Sequence, residues 1–303
     1  MTSTAIVTRR PGFGLGLLGV TMFALTLPMT RLATGTPETP QLDGLFIATG
    51  RAAAAALLSA LFLWRVRAPW PRHADWPTLA LVALGVVFGF PILTSLAMRD
   101  VGAVHASVIV GLLPLVTALV GAQLHRQRPS AGFWVCALAG TSGVVGFAWL
   151  RAGDSTGLHA ADLLLVAAVL CAAVGYGHGA RLATRMPAEH VICWALLLAL
   201  PISLPLALWT WPSAPVQASA WGGLAYVTVF SMWLGFFAWY RGLALGGTVH
   251  VSQLQLLQPF LSMLFAVPLL GESLDALSLG FALAVSVTVF IGKNQPVRQG
   301  TPS

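Results

Sequence analysis

Charge is what this 303-residue sequence has least of: 8% of it is Asp, Glu, Lys or Arg, against 57% hydrophobic residues. A water-soluble domain carries about 25% charged residues, and a chain so far below that level cannot cover a surface facing water. Acidic residues number only nine, and none lies deep in an apolar run; Asp43, Asp162 and Glu189 stand at run ends. Catalysis by paired carboxylates is thereby excluded, and no nucleophile with an adjacent base replaces it, so no enzyme is expected. The three cysteines, Cys136, Cys171 and Cys193, lie inside apolar stretches without C-x-x-C spacing, which excludes a disulfide framework and a metal site. Gly14-Leu-Gly16-Leu-Leu-Gly19 matches a dinucleotide pattern, but no strand precedes it, and it reads as small-residue packing; no cofactor is expected. The formal charge of +7 comes from basic residues scattered singly between apolar runs, which makes them topology signals rather than a nucleic-acid surface.

Long apolar runs make up the rest. A membrane-crossing helix needs ~20 mostly apolar residues. Runs bounded by charge, Pro or Gly place spans at 12–33, 43–64, 76–97, 102–124, 131–150, 159–183, 189–211, 218–241, 246–270 and 275–292. Leu79 to Phe90 and Ala161 to Val174 are apolar on every side, unlike the alternating strands of an outer-membrane barrel. The fold class is therefore an all-α integral membrane bundle of ten helices. Arg9-Arg10 before the first run imitates a secretory leader, but Arg31 interrupts that run and nine further spans follow, so it is kept as the first helix. Twelve basic residues fall on the side of the N-terminus and three, Arg31, Arg99 and Arg151, on the other, with Arg51 inside span 2. This bias puts both termini in the cytoplasm and the protein, as a multi-pass chain, in a bacterial-type cytoplasmic (inner) membrane.

The halves repeat. Gly102 to Pro114 (GAVHASVIVGLLP) lies over Gly247 to Pro259 (GTVHVSQLQLLQP) at an offset of 145, with six identities in thirteen positions. Arg31-Leu32-Ala33-Thr34, which ends span 1, recurs as Arg181-Leu182-Ala183-Thr184 at the end of span 6. The chain divides into repeats at 1–151 and 152–293 and a cytoplasmic tail at 294–303. Five spans per repeat is an odd number, so the second copy enters the membrane from the opposite side, the inverted arrangement of transporters that alternate access about a midplane site.

This repeat, the span 2 segment Ala48-Thr49-Gly50-Arg51-Ala52-Ala53, and the run from Gln258-Pro259-Phe260 to Leu270-Gly271-Glu272 resemble the EamA-type members of the drug/metabolite transporter superfamily. The resemblance covers nearly the whole chain. It implies an exporter of small metabolites, similar to bacterial amino-acid exporters, with a central cavity between the halves. The sequence departs from the family at Arg126-Gln127, where a Gly-Glu often stands. A cation in a low-dielectric cavity needs a counter-charge, so the lack of deep acids favours amino acids or similar zwitterions over polycationic drugs. The alternatives are an exporter of nucleosides, sugars or lipophilic drugs, and a sensor or scaffold that keeps the fold without transport. The implied partners are a small-molecule substrate and the lipid bilayer, with no nucleic acid, and a monomer is a sufficient assembly.

Polar side chains inside a membrane usually face a cavity or the bundle interior. Gln255, Gln258 and Ser262 share one face of span 9, as a substrate wall or as interhelical glue. Pro259 and its twin Pro114 each remove a hydrogen bond in mid-span. In span 8, Tyr226, Phe230, Trp233, Phe237 and Tyr240 form an aromatic stripe, either a cavity wall or a packed or lipid-facing seam, with Trp233 and Phe237 the candidates for substrate stacking. In span 1, Met22, Thr26 and Met29 share a face, and Pro28 implies a kink. Arg51 is the single deep cation, positioned either for a substrate carboxylate or for backbone carbonyls. Tyr176 and His178 sit in the glycine-rich Gly175-Tyr-Gly-His-Gly179. His178 and the repeat-related His105 and His250 are the candidate proton carriers, the alternative being structural hydrogen bonding. The equivalence of His105 and His250 places them near the cytoplasmic and outer halves respectively, or gives both the same helix-entry geometry.

Overall fold

A chain in lipid must satisfy every backbone N–H and C=O from within, and this one does so almost entirely with helices. The computed structural model describes residues 10–35, 39–97, 109–152, 160–270 and 276–299. The helices are α1 (Arg10–Ala24), α2 (Thr26–Thr34), α3 (Gly44–Arg65), α4 (Trp76–Val82), α5 (Phe90–Ala97), α6 (Leu113–Leu124) and α7 (Ala131–Ala152). Then follow α8 (Ala160–Leu182), α9 (Ala188–Trp209), α10 (Ala218–Tyr226), α11 (Gly235–Gly246), α12 (Thr248–Val251), α13 (Gln258–Leu270) and α14 (Ala276–Gly292). Six helical stretches among the described residues are long and apolar enough to cross a membrane, and three shorter apolar helices, Leu113–Leu124, Ala131–Phe147 and Leu279–Gly292, accompany them. One departure from an all-helical chain is a short antiparallel pair, β1 (Gln127–Pro129) and β2 (Val297–Gln299). It forms where Arg126, at a left-handed φ of 49°, turns the chain out of α6.

The breaks between collinear helices have chemical causes. Pro28 lacks the N–H that the Ala24 carbonyl needs, and the helix divides at Leu25 into α1 and α2. Pro91 cannot serve the Val87 carbonyl, and the preceding seven residues, Ala83–Gly89, form a π-helical segment in which the Phe90 N–H reaches back to the Gly85 carbonyl. Pro259 cannot serve Gln255, so Ser252–Leu257 tightens to a 3-10 helix and the Gln258 N–H bonds the Gln255 carbonyl instead.

The repeat is visible in these irregularities. A second π-helical segment, Val227–Leu234, begins 144 residues after the first and ends 145 after it. Helices α6 and α13 each start one residue before the paired prolines Pro114 and Pro259. Packing follows the same exchange: α1 lies on α11, while α8 lies on α4, the first π segment and α5; α3 lies on α9, and α7 on α14. Each half thus inserts its first span against the third span of the other.

The bundle has two distinct ends. At one, Arg185 pairs with buried Asp75 at 3.9 Å, β1 meets β2, and Thr248 Oγ1 lies 3.3 Å from His125 Nε2. At the other, Gly35 bridges Pro40 and the Gln217 N–H donates to Gln41 Oε1 at 2.8 Å. Trp64 and Trp70 stand exposed near the first end, and Trp209 and Trp211 near the second, as membrane-interface belts do. Leu57, Leu61, Leu163 and Leu283, exposed along the rods, are the surface that lipid covers.

Candidate functional site

The irregular segments converge on one cavity of about 500 Å³, within the ~300–1,000 Å³ range of small-ligand sites. Its floor, at mid-depth, holds Arg51 from α3, Tyr176 from α8, Gln255 from the 3-10 segment and Gln258 from the start of α13. From there it extends past Thr30, Thr34, Gly44 and Thr94 toward the end marked by the Gly35–Pro40 bridge. Phe23, Val86 and Phe236 supply apolar wall, and no Asp or Glu stands among the described lining residues.

Local chemistry fixes the walls. The Ala24 carbonyl, left without a partner by Pro28, accepts a short hydrogen bond from the Ser262 hydroxyl on α13. Thr26 Oγ1 and Ser231 Oγ are 2.8 Å apart, and the Tyr226 hydroxyl donates to the Met22 carbonyl at 3.3 Å. The broken first span is therefore held by side chains from the π segment's helix and from span 9. Arg51 and Gln255 are different. The Arg51 Nε and both polar atoms of the Gln255 amide are buried without a hydrogen-bond partner, and Arg51 has no ion pair among the described residues. Tyr176 lies near both side chains, yet no hydrogen bond of ordinary geometry joins its hydroxyl to Gln255. Buried polar groups are nearly always bonded, so these orphans in a cavity wall are groups awaiting a ligand or water.

Of the residues singled out from sequence, Gln255, Gln258, Ser262, Thr26, Tyr176 and Arg51 come together in this lining, while Met22, Trp233 and Phe237 are placed elsewhere. The Trp233 ring lies 5.9 Å from Phe62 and 5.0 Å from Phe237, and its Nε1–H donates to Cys193 Sγ at 3.3 Å, so the pair fills a seam against α3 and α9. The cause is the π segment, whose extra residue per turn rotates the stripe apart. Tyr226 and Phe230 stack outward at 5.0 Å beside a second, apolar hollow of about 480 Å³ that also takes Met29, and Tyr240 turns inward to donate to the Gly175 carbonyl at 3.3 Å. Sequence reading passed over Thr30 and Thr34, although with Thr26 they repeat every four residues, the spacing of one helical face. Thr94 and Ser231, beyond and within the π segments, gave no such signal.

The described histidines lie away from the cavity. His250 Nε2 contacts the Gln295 carbonyl at 2.9 Å, and its ring lies 5.7 Å from Phe133. This corrects its assignment to the outer half: span 9 begins at the end where β1 meets β2, so inversion of the repeat puts His250 at the basic end. His105 lies outside the described residues. His178 is half-buried near His125 and Arg181, with its Nδ1 unpartnered. Burial, then Arg181 and His178, hold His125 below its ordinary 6.5. The folded protein thus resists protonating His125: this contribution is complete above the unfolded value of 6.5 and is lost progressively as pH falls below it through the lowered folded value. Melting curves are expected to show a lower Tm at pH 5.5 than at 7.5, with the difference reduced in His125→Gln; an equal drop in the variant would assign the effect to other groups.

Both halves of the chain match the model of the EamA-like transporter family, over residues 10–149 and 159–292. The chain belongs to that family. It is 42% identical over 279 residues to an uncharacterized transporter, YdeK, of Bacillus subtilis, covering 91% of this chain and 93% of that one. A second uncharacterized transporter, sll0355 of Synechocystis, is 24% identical over 276 residues, covering 84% and 82%. A solved crystal structure superposes with a TM-score of 0.77 at 18% identity, covering 93% of this chain and 98% of that one, and shares the fold.

Proposed function

We propose that this EamA-family membrane protein exports small metabolites, with amino acids as its substrates, from a cytoplasmic membrane. The reading takes ten spans with both termini inside and the repeats at 1–151 and 152–293. The observation that carries it is the largely apolar cavity with a polar floor, built from both repeats at their paired helix breaks. Gln255, Gln258, Ser262, Thr26, Tyr176 and Arg51 are the proposed binding residues. A cavity reaching one end of the bundle, with contacts closing the basic end, fits an outward-facing state of an alternating-access cycle. A sensor or scaffold is the weaker reading, because a bundle that only packs gains nothing from buried, unbonded groups facing a hollow.

The test is efflux of labelled amino acids from proteoliposomes, with and without a pH gradient. Gln255→Leu is expected to fold, since the amide it removes is unbonded, and to lower efflux by ~10-fold or more through loss of a ligand hydrogen bond. Unchanged efflux in this variant would remove Gln255 from the site. Dependence on the gradient would turn attention to His178, His250 and His105, and independence would indicate a facilitator.

A further inference from the structure

We infer that the solute is bound by an anionic carboxylate seated on Arg51, and that the cavity selects for that carboxylate and not for the ammonium group of an amino acid. The inference rests on the reading of the cavity as the transport site and adds the charge class it accepts.

Two features of the lining point this way. Arg51 is the one cation in the described lining; its Nε is buried and unbonded, and no acid or backbone carbonyl among the described residues pairs with it. A guanidinium presents a planar fork of N–H donors and no acceptor, and its natural complement is a carboxylate held by two parallel hydrogen bonds. The second feature is Gln255, whose unbonded amide N–H stands beside Tyr176, itself close to Arg51. An ammonium group would be left to hydroxyls such as Thr30 and Thr34 toward the open end.

The two alternatives raised by Arg51 in the sequence separate here. A guanidinium serving the backbone would show hydrogen bonds to carbonyls, and Arg51 makes none among the described residues, while the Ala24 and Gln255 carbonyls are taken by Ser262 and by the Gln258 N–H.

The experiment uses the full chain in proteoliposomes, with counterflow of the twenty labelled amino acids, and with each amino acid's amide and N-acetyl form as competitors. For any amino acid carried, the N-acetyl form, which keeps the carboxylate and loses the ammonium charge, is expected to compete. The amide, which loses the carboxylate, is expected to compete about 30-fold less well, the size of a lost charge-assisted contact. Arg51→Gln is expected to lose carriage by a similar factor and Arg51→Lys to keep part of it. An amide that competes as well as its parent acid, or wild-type counterflow in a folded Arg51→Gln, overturns the proposal. Should Arg51→Gln fail to fold, the competition series in the wild type decides alone. Carriage by the wild type of uncharged solutes only, nucleosides or sugars, overturns the carboxylate seat while leaving a transporter. Carriage of nothing, in either class, overturns both readings.

Discussion

Gly242→Leu is expected to yield no stably folded protein, whereas Gly14→Leu, on the helix that Gly242 touches, is expected to behave as wild type. A Cβ at position 242 would lie 2.6 Å from the Gly16 nitrogen, 2.9 Å from its Cα and 3.0 Å from the Gly12 carbonyl oxygen. These are backbone atoms of α1 and have no rotamer through which to retreat. From the other side, a Cβ on Gly12 would meet the backbone of Gly246. The glycines at 12 and 16 and at 242 and 246 thus interleave two helices at backbone contact, the small-residue packing that holds membrane bundles. Separating the helices would dissolve the contact of the first span with the third span of the opposite half, and a loss at or above the ~3 kcal/mol upper end of ordinary overpacking follows. Gly14 has nothing within 4 Å of its Cβ position and points outward, so leucine there meets only lipid. Size-exclusion profiles and melting temperatures of the two variants in detergent check the pair; a monodisperse, wild-type-like Gly242→Leu would refute the interlocked packing.

The same contrast shows what the sequence makes legible. Apolar length gives the helices, because lipid admits few alternatives. The repeat was readable in thirteen residues around His105 and His250, and it reappears as paired helix breaks. Faces are readable along α3 and α8 and across the short 3-10 segment of span 9, and are lost across a π segment. Arg51, Tyr176 and the Gln255, Gln258 and Ser262 set lie on the cavity, but Trp233 and Phe237 were assigned from a wheel of 3.6 residues per turn across a segment that winds more loosely. A proline is visible as a letter. Whether it produces a break, as Pro28 does, a π segment, as at Pro91, or a 3-10 turn, as at Pro259, depends on which neighbour satisfies the freed carbonyl, and that neighbour is distant in sequence. The glycine pattern 14, 16, 19 illustrates the same limit: Gly16 and Gly19 meet Val251 and Trp239, while Gly14 meets nothing.

Arg51→Met is expected to raise the melting temperature and abolish transport together. Methionine has a similar length, carries no charge and fills irregular space. In the wild type a guanidinium, whose Nε is buried, stands without an ion pair among the described residues. Removing a charge from water without a partner costs free energy, and replacing buried ionic groups with apolar ones is often neutral to stabilising. If the gain is about 1 kcal/mol, the Tm rises by ~1.5–2 °C in a chain of this size. Such a cost persists in a folded protein where the group serves the ligand rather than the fold. A bound carboxylate would supply the missing partner, so wild-type Tm should rise on adding a transported amino acid, and the Met variant's should not respond. The two signs separate the roles. A fall in Tm in Arg51→Met would mean that the guanidinium braces the bundle, and loss of transport would then follow from misfolding; a rise with lost transport leaves binding as the function that keeps an uncompensated charge in the middle of the membrane.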